Sequence, residues 1–201
     1  MHEYCIKGHK KEIVVFYITL ASVVLSTCFA QLIDLIGAQL HIAIKYTLTT
    51  SCTFGLLYAL FSKKLWKSKG FGKLFNFPNL NGNYTVKALS LKNPTGSEIE
   101  WDGRMSIVQT WDKILITLKT DKSSSESISS NGCIEYIPNI GYRLEYKYHN
   151  DPNLIKSELH PHDGECTITF TEQICTAKAE YFTKERSSNG IMELVKEDVY
   201  G

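Results

Sequence analysis

From Ile13 to Ile33 the chain reads IVVFYITLASVVLSTCFAQLI, 21 residues among which only Gln31 is strongly polar. Wound as a helix at about 1.5 Å per residue, such a run is long enough to cross a hydrocarbon core of about 30 Å. Lys10 and Lys11 precede it, as they would a signal peptide. The run is longer than a signal core, however, and a second apolar segment follows almost at once. That second segment, roughly Ile42 to Phe61, is interrupted by Lys45, Thr47, Thr49, Thr50, Ser51 and Thr53. The pair predicts a transmembrane hairpin with helices at about 13–37 and 42–62, turning between Asp34 and His41.

Charge fixes the orientation. Lys7, Lys10 and Lys11 stand before the first helix and Lys63, Lys64, Lys67, Lys69 and Lys73 after the second, whereas the connection has no cation before Lys45. Cations collect on the cytoplasmic side, so both termini and everything after the hairpin are expected in the cytoplasm. Residues 1–75 carry nine lysines against Glu3, Glu12 and Asp34, while residues 76–201 carry 13 Lys and Arg against 18 Asp and Glu. An acidic domain lacks the dense positive face that polymeric nucleic acid requires. The six cysteines show no CxxC spacing and two lie in the apolar segments, which predicts reduced, buried thiols rather than a disulfide framework or a zinc site.

Residues 68–79 read as a linker broken by Gly70, Gly72 and Pro78. Beyond it the sequence alternates with period two in eight stretches, near 84–91, 99–111, 113–120, 127–137, 141–149, 164–171, 174–184 and 190–197. Tyr142, Leu144, Tyr146 and Tyr148 face one way against Arg143, Glu145 and Lys147, and Cys175, Ala177, Ala179 and Tyr181 oppose Thr176, Lys178 and Glu180. Eight sequential strands with short connections predict a small up-and-down antiparallel β-barrel, because closure removes exposed edges. The expected organisation is a tail and two transmembrane helices over 1–67, a linker, and an all-β domain over 80–201.

Within WDGRMSIVQTWDKILITLKTDKSSS (101–125) two apolar runs meet at Asp112-Lys113 as a hairpin. Gln109 lies on the apolar face, where an unsatisfied amide is costly. It is therefore either bonded by a neighbour or presented to a polar ligand. If the first strand leaves the membrane side, the far rim gathers Trp101, Arg104, Thr120, Ser123, Ser125, Tyr148, Tyr181 and Arg186, with Tyr146 just inside. Aromatic faces for bases, hydroxyls for phosphate and two guanidinium groups are the equipment of a nucleotide site. On the second helix, Lys45, Thr49, Thr50 and Thr53 can bond their own backbone or line a polar seam between associated hairpins. His149, His160 and His162 with Asp151, Asp163 and Glu165 match no metal motif, and there is no GxSxG, HExxH, P-loop or GxGxxG. Neither a metal, a cofactor nor a catalytic centre is expected.

Two N-terminal membrane helices before a strand-rich domain, with IVQTW at 107–111, TDKSSS at 120–125, EYKYHNDP at 145–152, HDG at 162–164 and AEYFTKER at 179–186, resemble a known family. It comprises the two-transmembrane, β-strand-rich effectors of cyclic-oligonucleotide-based antiphage signalling systems (CBASS). The resemblance covers nearly the whole chain. It implies a non-enzymatic, multi-pass protein of the bacterial inner membrane whose barrel binds a cyclic dinucleotide made by a partner nucleotidyltransferase. Binding would promote homo-oligomerisation and disruption of membrane lipid, killing the infected cell (abortive infection). Two rival readings are a tethered barrel carrying an apolar ligand, which would have no use for Gln109 or the hydroxyl rim, and a membrane-bound nucleotide hydrolase, which would need a catalytic His, Asp or Glu.

Overall fold

Strict alternation over 11 residues, as in Gly82–Lys92 and Ile99–Gln109, permits a strand only if one face is covered. In the computed structural model the strands cover one another by closing into a ring. Residues 1–35, 42–68, 70, 77–92, 98–121, 126–151, 161–184 and 188–197 are described. The chain divides into two compact units, His9–Phe75 and a second made of Met1–Gly8 with Asn76–Gly201. The first eight residues, expected with the membrane helices, thus belong to the β unit.

The helical unit holds α1 (Lys11–Leu35), α2 (Ile42–Lys63) and a short 3-10 turn at Leu65–Lys67. α1 is long and apolar enough to cross a membrane, and Phe16, Tyr17, Leu20, Val24 and Leu32 point outward from it. Its buried side is a row of small residues, Ser22, Ser26 and Ala30 at intervals of four, which lets a second helix approach closely.

The β unit has β1 (His2–Glu3), β2 (Cys5–Ile6), β3 (Gly82–Lys92), β4 (Ile99–Gln109), β5 (Lys113–Thr120), β6 (Glu126–Ile137), β7 (Gly141–Asp151), β8 (His162–Phe170), β9 (Thr176–Thr183) and β10 (Ser188–Lys196). Strands β3 to β10 follow one another around the ring, all antiparallel, and β10 pairs with β3 to close it. The expected eight-stranded barrel is the one observed, and the eight strand positions lie close to those read from alternation. The interior is packed by Tyr84, Val86, Met105, Ile107, Ile114, Ile116, Ile134, Leu144, Ile168, Phe170 and Leu194.

Three features differ from expectation. The β4–β5 connection is longer than Asp112-Lys113, because Gln109 pairs with Ile114 and the Thr110 N–H bonds the Lys113 carbonyl at 2.8 Å. This frees Trp111 to turn inward and stack on Phe77, centroids 4.6 Å apart. The N-terminal residues form strands: His2–Glu3 run antiparallel to β5 and Cys5–Ile6 parallel to β6. Finally, Cys5 and Cys133 are joined by a disulfide across that parallel pair, although no bridge was expected from spacing; Cys28, Cys52, Cys166 and Cys175 are free thiols.

Gln109 sits where these pieces converge, 1% exposed. Its Oε1 accepts from the Leu80 N–H at 2.8 Å, and its Nε2 donates to the Tyr4 hydroxyl at 2.9 Å and the Pro78 carbonyl at 3.2 Å. The amide is satisfied by protein and belongs to the core of one barrel end, with Tyr4, Phe77, Leu80, Tyr84 and Trp111. The ligand-binding alternative for Gln109 is therefore corrected.

Gln109→Ala strands the buried Leu80 N–H and Pro78 carbonyl, and a loss of about 1–3 kcal/mol in unfolding free energy is expected by chemical denaturation. Burial also raises the Tyr4 and Tyr84 phenols above the ordinary tyrosine value. In the unfolded chain these groups ionise near pH 10, so above that pH the folded form binds more protons than the unfolded one. Their contribution is complete below about pH 10 and is lost as pH rises further. Thermal midpoints measured on either side of pH 10 should fall on the alkaline side, and a Tyr84→Phe variant should fall less.

Candidate functional site

The strand ends opposite Gln109 are packed differently. There β3, β5, β7 and β9 finish and β4, β6, β8 and β10 begin, and their inward side chains surround a cavity of about 360 Å³, within the range of small-molecule sites. Trp101 on β4 and Tyr181 on β9 meet edge to face with centroids 6.1 Å apart. Ser90 on β3 links them: its Oγ lies 2.6 Å from the Tyr181 hydroxyl and accepts the Trp101 indole N–H at 3.2 Å. On β7, Tyr146 and Tyr148 form a second aromatic pair at 6.2 Å. Between the pairs, one wall carries Leu118, Thr120 and Ser127 from β5 and β6, and the other His162, Cys166, Thr183 and Ser188 from β8, β9 and β10.

Two glycines make room for the aromatic side chains. A Cβ on Gly164 would stand 2.3 Å from Cζ of Tyr148, and one on Gly190 would stand 2.6 Å from the Tyr181 ring. Each tyrosine thus leans over a neighbouring strand at a point where no side chain exists, which explains the glycine of the His162-Asp163-Gly164 sequence. Hydroxyls occupy much of the remaining lining. Thr183 and Ser188 bond each other directly across the β9–β10 turn, and the Ser188 N–H donates to Thr183 Oγ1 at 3.2 Å.

Electrostatically the described lining is nearly neutral. Besides tyrosines and Cys166, its ionisable side chains are Glu100 and His162, and His162 is buried with its Nε2 3.5 Å from the Asn150 amide. Burial pushes the Cys166 thiol up to about 12 and the Tyr146 phenol well above its usual value. Both groups therefore stay protonated and neutral over the physiological range. Among the described residues no cluster of three His, Cys, Asp or Glu is placed to hold a metal. His149 and Asp163 form an exposed pair, Nδ1 to Oδ1 2.7 Å, on the outer surface.

Of the residues singled out from sequence, Trp101, Thr120, Tyr146, Tyr148 and Tyr181 are brought together at this cavity. Arg104 is not: it lies at an outward position of β4, largely exposed, with its Nε 3.8 Å from Glu197, and this placement corrects its assignment to the rim. Ser123, Ser125 and Arg186 fall outside the described residues, in the β5–β6 and β9–β10 connections. Ser90, Ser127, Thr183 and Ser188 were not singled out, and His162 was considered only in a metal or acid-base group. Each is a small or polar residue next to a strand end, and only register shows which way it points.

For the polar residues of α2 the sequence allows bonds to their own backbone or a seam between associated hairpins. Within the helix pair Lys45, Thr49 and Thr53 are buried. Lys45 Nζ donates to both carboxylate oxygens of Asp34 on α1 at 2.7 Å. Thr49 and Thr53 return their hydroxyls to the Lys45 and Thr49 carbonyls, and Thr50 Oγ1 donates to Ser26 Oγ of α1 at 2.9 Å. Lys45 and Thr50 thus tie α2 to α1, while Thr49 and Thr53 bond their own helix.

Comparison with known proteins agrees with both units. Residues 75–196 match the family model described as the Cap15 cyclic dinucleotide receptor domain, and residues 12–67 match that of the Cap15 TM helices. Over 141 residues, 70% of this chain, the sequence is 36% identical to CD-NTase-associated protein 15 of Yersinia aleksiciae. That match spans 65% of the relative's length, just under two thirds.

Two outcomes are expected from this geometry. With its high pKa and buried sulfur, Cys166 should resist alkylation in the native protein near pH 8 while Cys175, exposed, reacts; mass spectrometry after a brief iodoacetamide pulse reads the difference. Gly164→Ala forces Tyr148 off its site, and a stability loss of about 1–3 kcal/mol is expected by thermal denaturation.

Proposed function

The chain belongs to the Cap15 family of CBASS-associated proteins, and from that membership we propose that it is a membrane effector whose barrel binds a cyclic dinucleotide in the rim cavity. The observation that carries the reading is the pair of aromatic clamps, Trp101 with Tyr181 and Tyr146 with Tyr148, separated by hydroxyl-bearing walls. Each clamp offers a face on which one base stacks, and the hydroxyls between them suit ribose and phosphate oxygens. A neutral lining does not balance two phosphates. Arg186, in the connection that joins Thr183 to Ser188, is the cation proposed for that role, with Ser123 and Ser125 from the connection after Thr120. The protein's part is recognition, with a nucleotidyltransferase supplying the ligand; no residue is assigned to bond breaking.

We propose further that both helices cross the bacterial inner membrane with the termini and the barrel on the cytoplasmic side, as the lysine distribution favours. Ligand binding then promotes association of copies, and association disrupts the lipid. A ligand drives such assembly only through its higher affinity for the assembled state. Because Lys45, Thr49, Thr50 and Thr53 are engaged within the helix pair, assembly through these residues requires that contacts to Asp34 and Ser26 be exchanged for contacts to other copies.

Calorimetric titration of the full chain in detergent with a panel of cyclic dinucleotides tests the binding. One member should bind. Trp101→Ala or Tyr148→Ala should weaken it by about 5- to 100-fold, the equivalent of about 1–3 kcal/mol for a lost stacking partner, and Arg186→Ala by about tenfold or more. Absence of binding to every member, with apolar ligands extracted instead, would refute the reading. Replacing Lys45, Thr49, Thr50 and Thr53 by Leu should leave the affinity unchanged and abolish toxicity on expression with the ligand.

A further inference from the structure

The ring is not closed with equal strength all round. Seven of its eight strand pairs are in register over seven or more positions. Among the described residues the β5–β6 pair is in register at three: Thr117 with Ile128, Leu118 with Ser127, and Lys119 with Glu126. Leu118 and Ser127 are also cavity wall, so the weakest seam lies against the space between the two aromatic clamps. Below these three positions β5 and β6 part. At the fork, Ser129 Oγ accepts the Ile116 N–H at 2.9 Å and lies 2.8 Å from Nε2 of His2, beside a β-bulge between Ser129 and Asn131.

The gap is filled by the first residues of the chain. His2 and Glu3 satisfy the β5 edge, Cys5 and Ile6 the β6 edge, and the Lys7 N–H bonds the Ile134 carbonyl at 2.8 Å. Tyr4 is buried between them under Gln109. This filler is short, is not covalently part of either strand it spans, and runs through Gly8 into α1, which begins at Lys11. Beyond the main chain, the Cys5–Cys133 bridge ties it covalently to the barrel.

We infer that residues 2–7 are a latch across the β5–β6 seam, and that ligand entering the rim cavity widens this seam and releases the latch into the segment that leads to α1. The inference rests on the reading that the cavity takes a cyclic dinucleotide. Strand separation begins where the fewest backbone bonds must break, and a ligand spanning from the Trp101/Tyr181 clamp on β4 and β9 to the Tyr146/Tyr148 clamp on β7 bears on the β5–β6 wall between them. Separation there pulls Ser129 from Ile116 and His2, and the edges that hold His2 to Ile6 no longer keep their spacing. The Cys5–Cys133 bridge restrains this motion. Its reduction by a thiol such as glutathione breaks the S–S bond, transfers two electrons and two protons to the two cysteine sulfurs, and leaves glutathione disulfide, freeing the latch to respond.

Amide hydrogen exchange of the full chain in detergent, followed by mass spectrometry of the peptide containing residues 2–7, tests this on Cys5→Ser and on the oxidised natural protein, with calorimetry on the same samples. In Cys5→Ser, a bound cyclic dinucleotide should speed exchange of this peptide about tenfold or more while the β8 and β9 peptides are unchanged; in the oxidised protein the acceleration should be largely suppressed. Ser129→Ala should speed the same peptide without ligand. Binding by calorimetry with no change in residues 2–7 overturns the latch and leaves the cavity reading standing. Absence of binding to every cyclic dinucleotide overturns the cavity reading, and the latch with it.

Discussion

The amide of Gln109 ties together three stretches of chain that are far apart in sequence. It takes the Leu80 N–H from the segment entering β3, gives a proton to the Pro78 carbonyl, and gives the other to the hydroxyl of Tyr4. Tyr4 in turn donates to the Thr110 and Trp111 carbonyls. A buried amide is tolerated only when its polar atoms are matched, so this one position fixes the β4–β5 turn, the entry to the barrel and the N-terminal strand at once. The interior of this end is filled by Tyr4, Phe77, Leu80, Tyr84 and Trp111, and the cavity between the aromatic pairs lies at the other rim.

That division of labour suits a receptor. One end of an eight-stranded ring is filled by aliphatic and aromatic side chains from several strands. At the other, large rings lean over Gly164 and Gly190 and leave a cavity between them. Placing the rings at strand ends keeps them on a rigid scaffold. The helix pair shows the complementary economy: its polar atoms are matched within the pair, Lys45 by Asp34 and Thr50 by Ser26, so the apolar residues of α1 are what faces outward.

Much of this was legible in the sequence because period-two alternation is a local signal. The run Tyr142 to Tyr148 and the run Ala177 to Tyr181 announce their inward faces without reference to anything else. Counting strands from the first then assigns each residue a height, which is why Trp101, Thr120, Tyr148 and Tyr181 could be gathered at one rim. Arg104 shows the limit: it sits midway along β4, opposite Thr85 and Lys119, and points outward toward Glu197, because it falls one residue from Gly103, whose inward position lies against the Lys119 carbonyl. Ser90, Ser127 and Ser188 carry no local signal at all.

By itself, then, the sequence determined the two helices, the first of them apolar enough to cross a membrane, the number and order of the strands, and the ring they form, since apolar length and alternation are written in neighbouring residues. The structure alone decided what the isolated polar groups do. Whether Gln109 met protein or ligand depended on Tyr4, 105 residues away. Whether Cys5 had a partner depended on Cys133, 128 residues away, and whether His2 to Ile6 formed strands depended on a gap between β5 and β6. Such pairings are set by chain closure in space, and no pattern in five residues encodes a partner beyond the next turn.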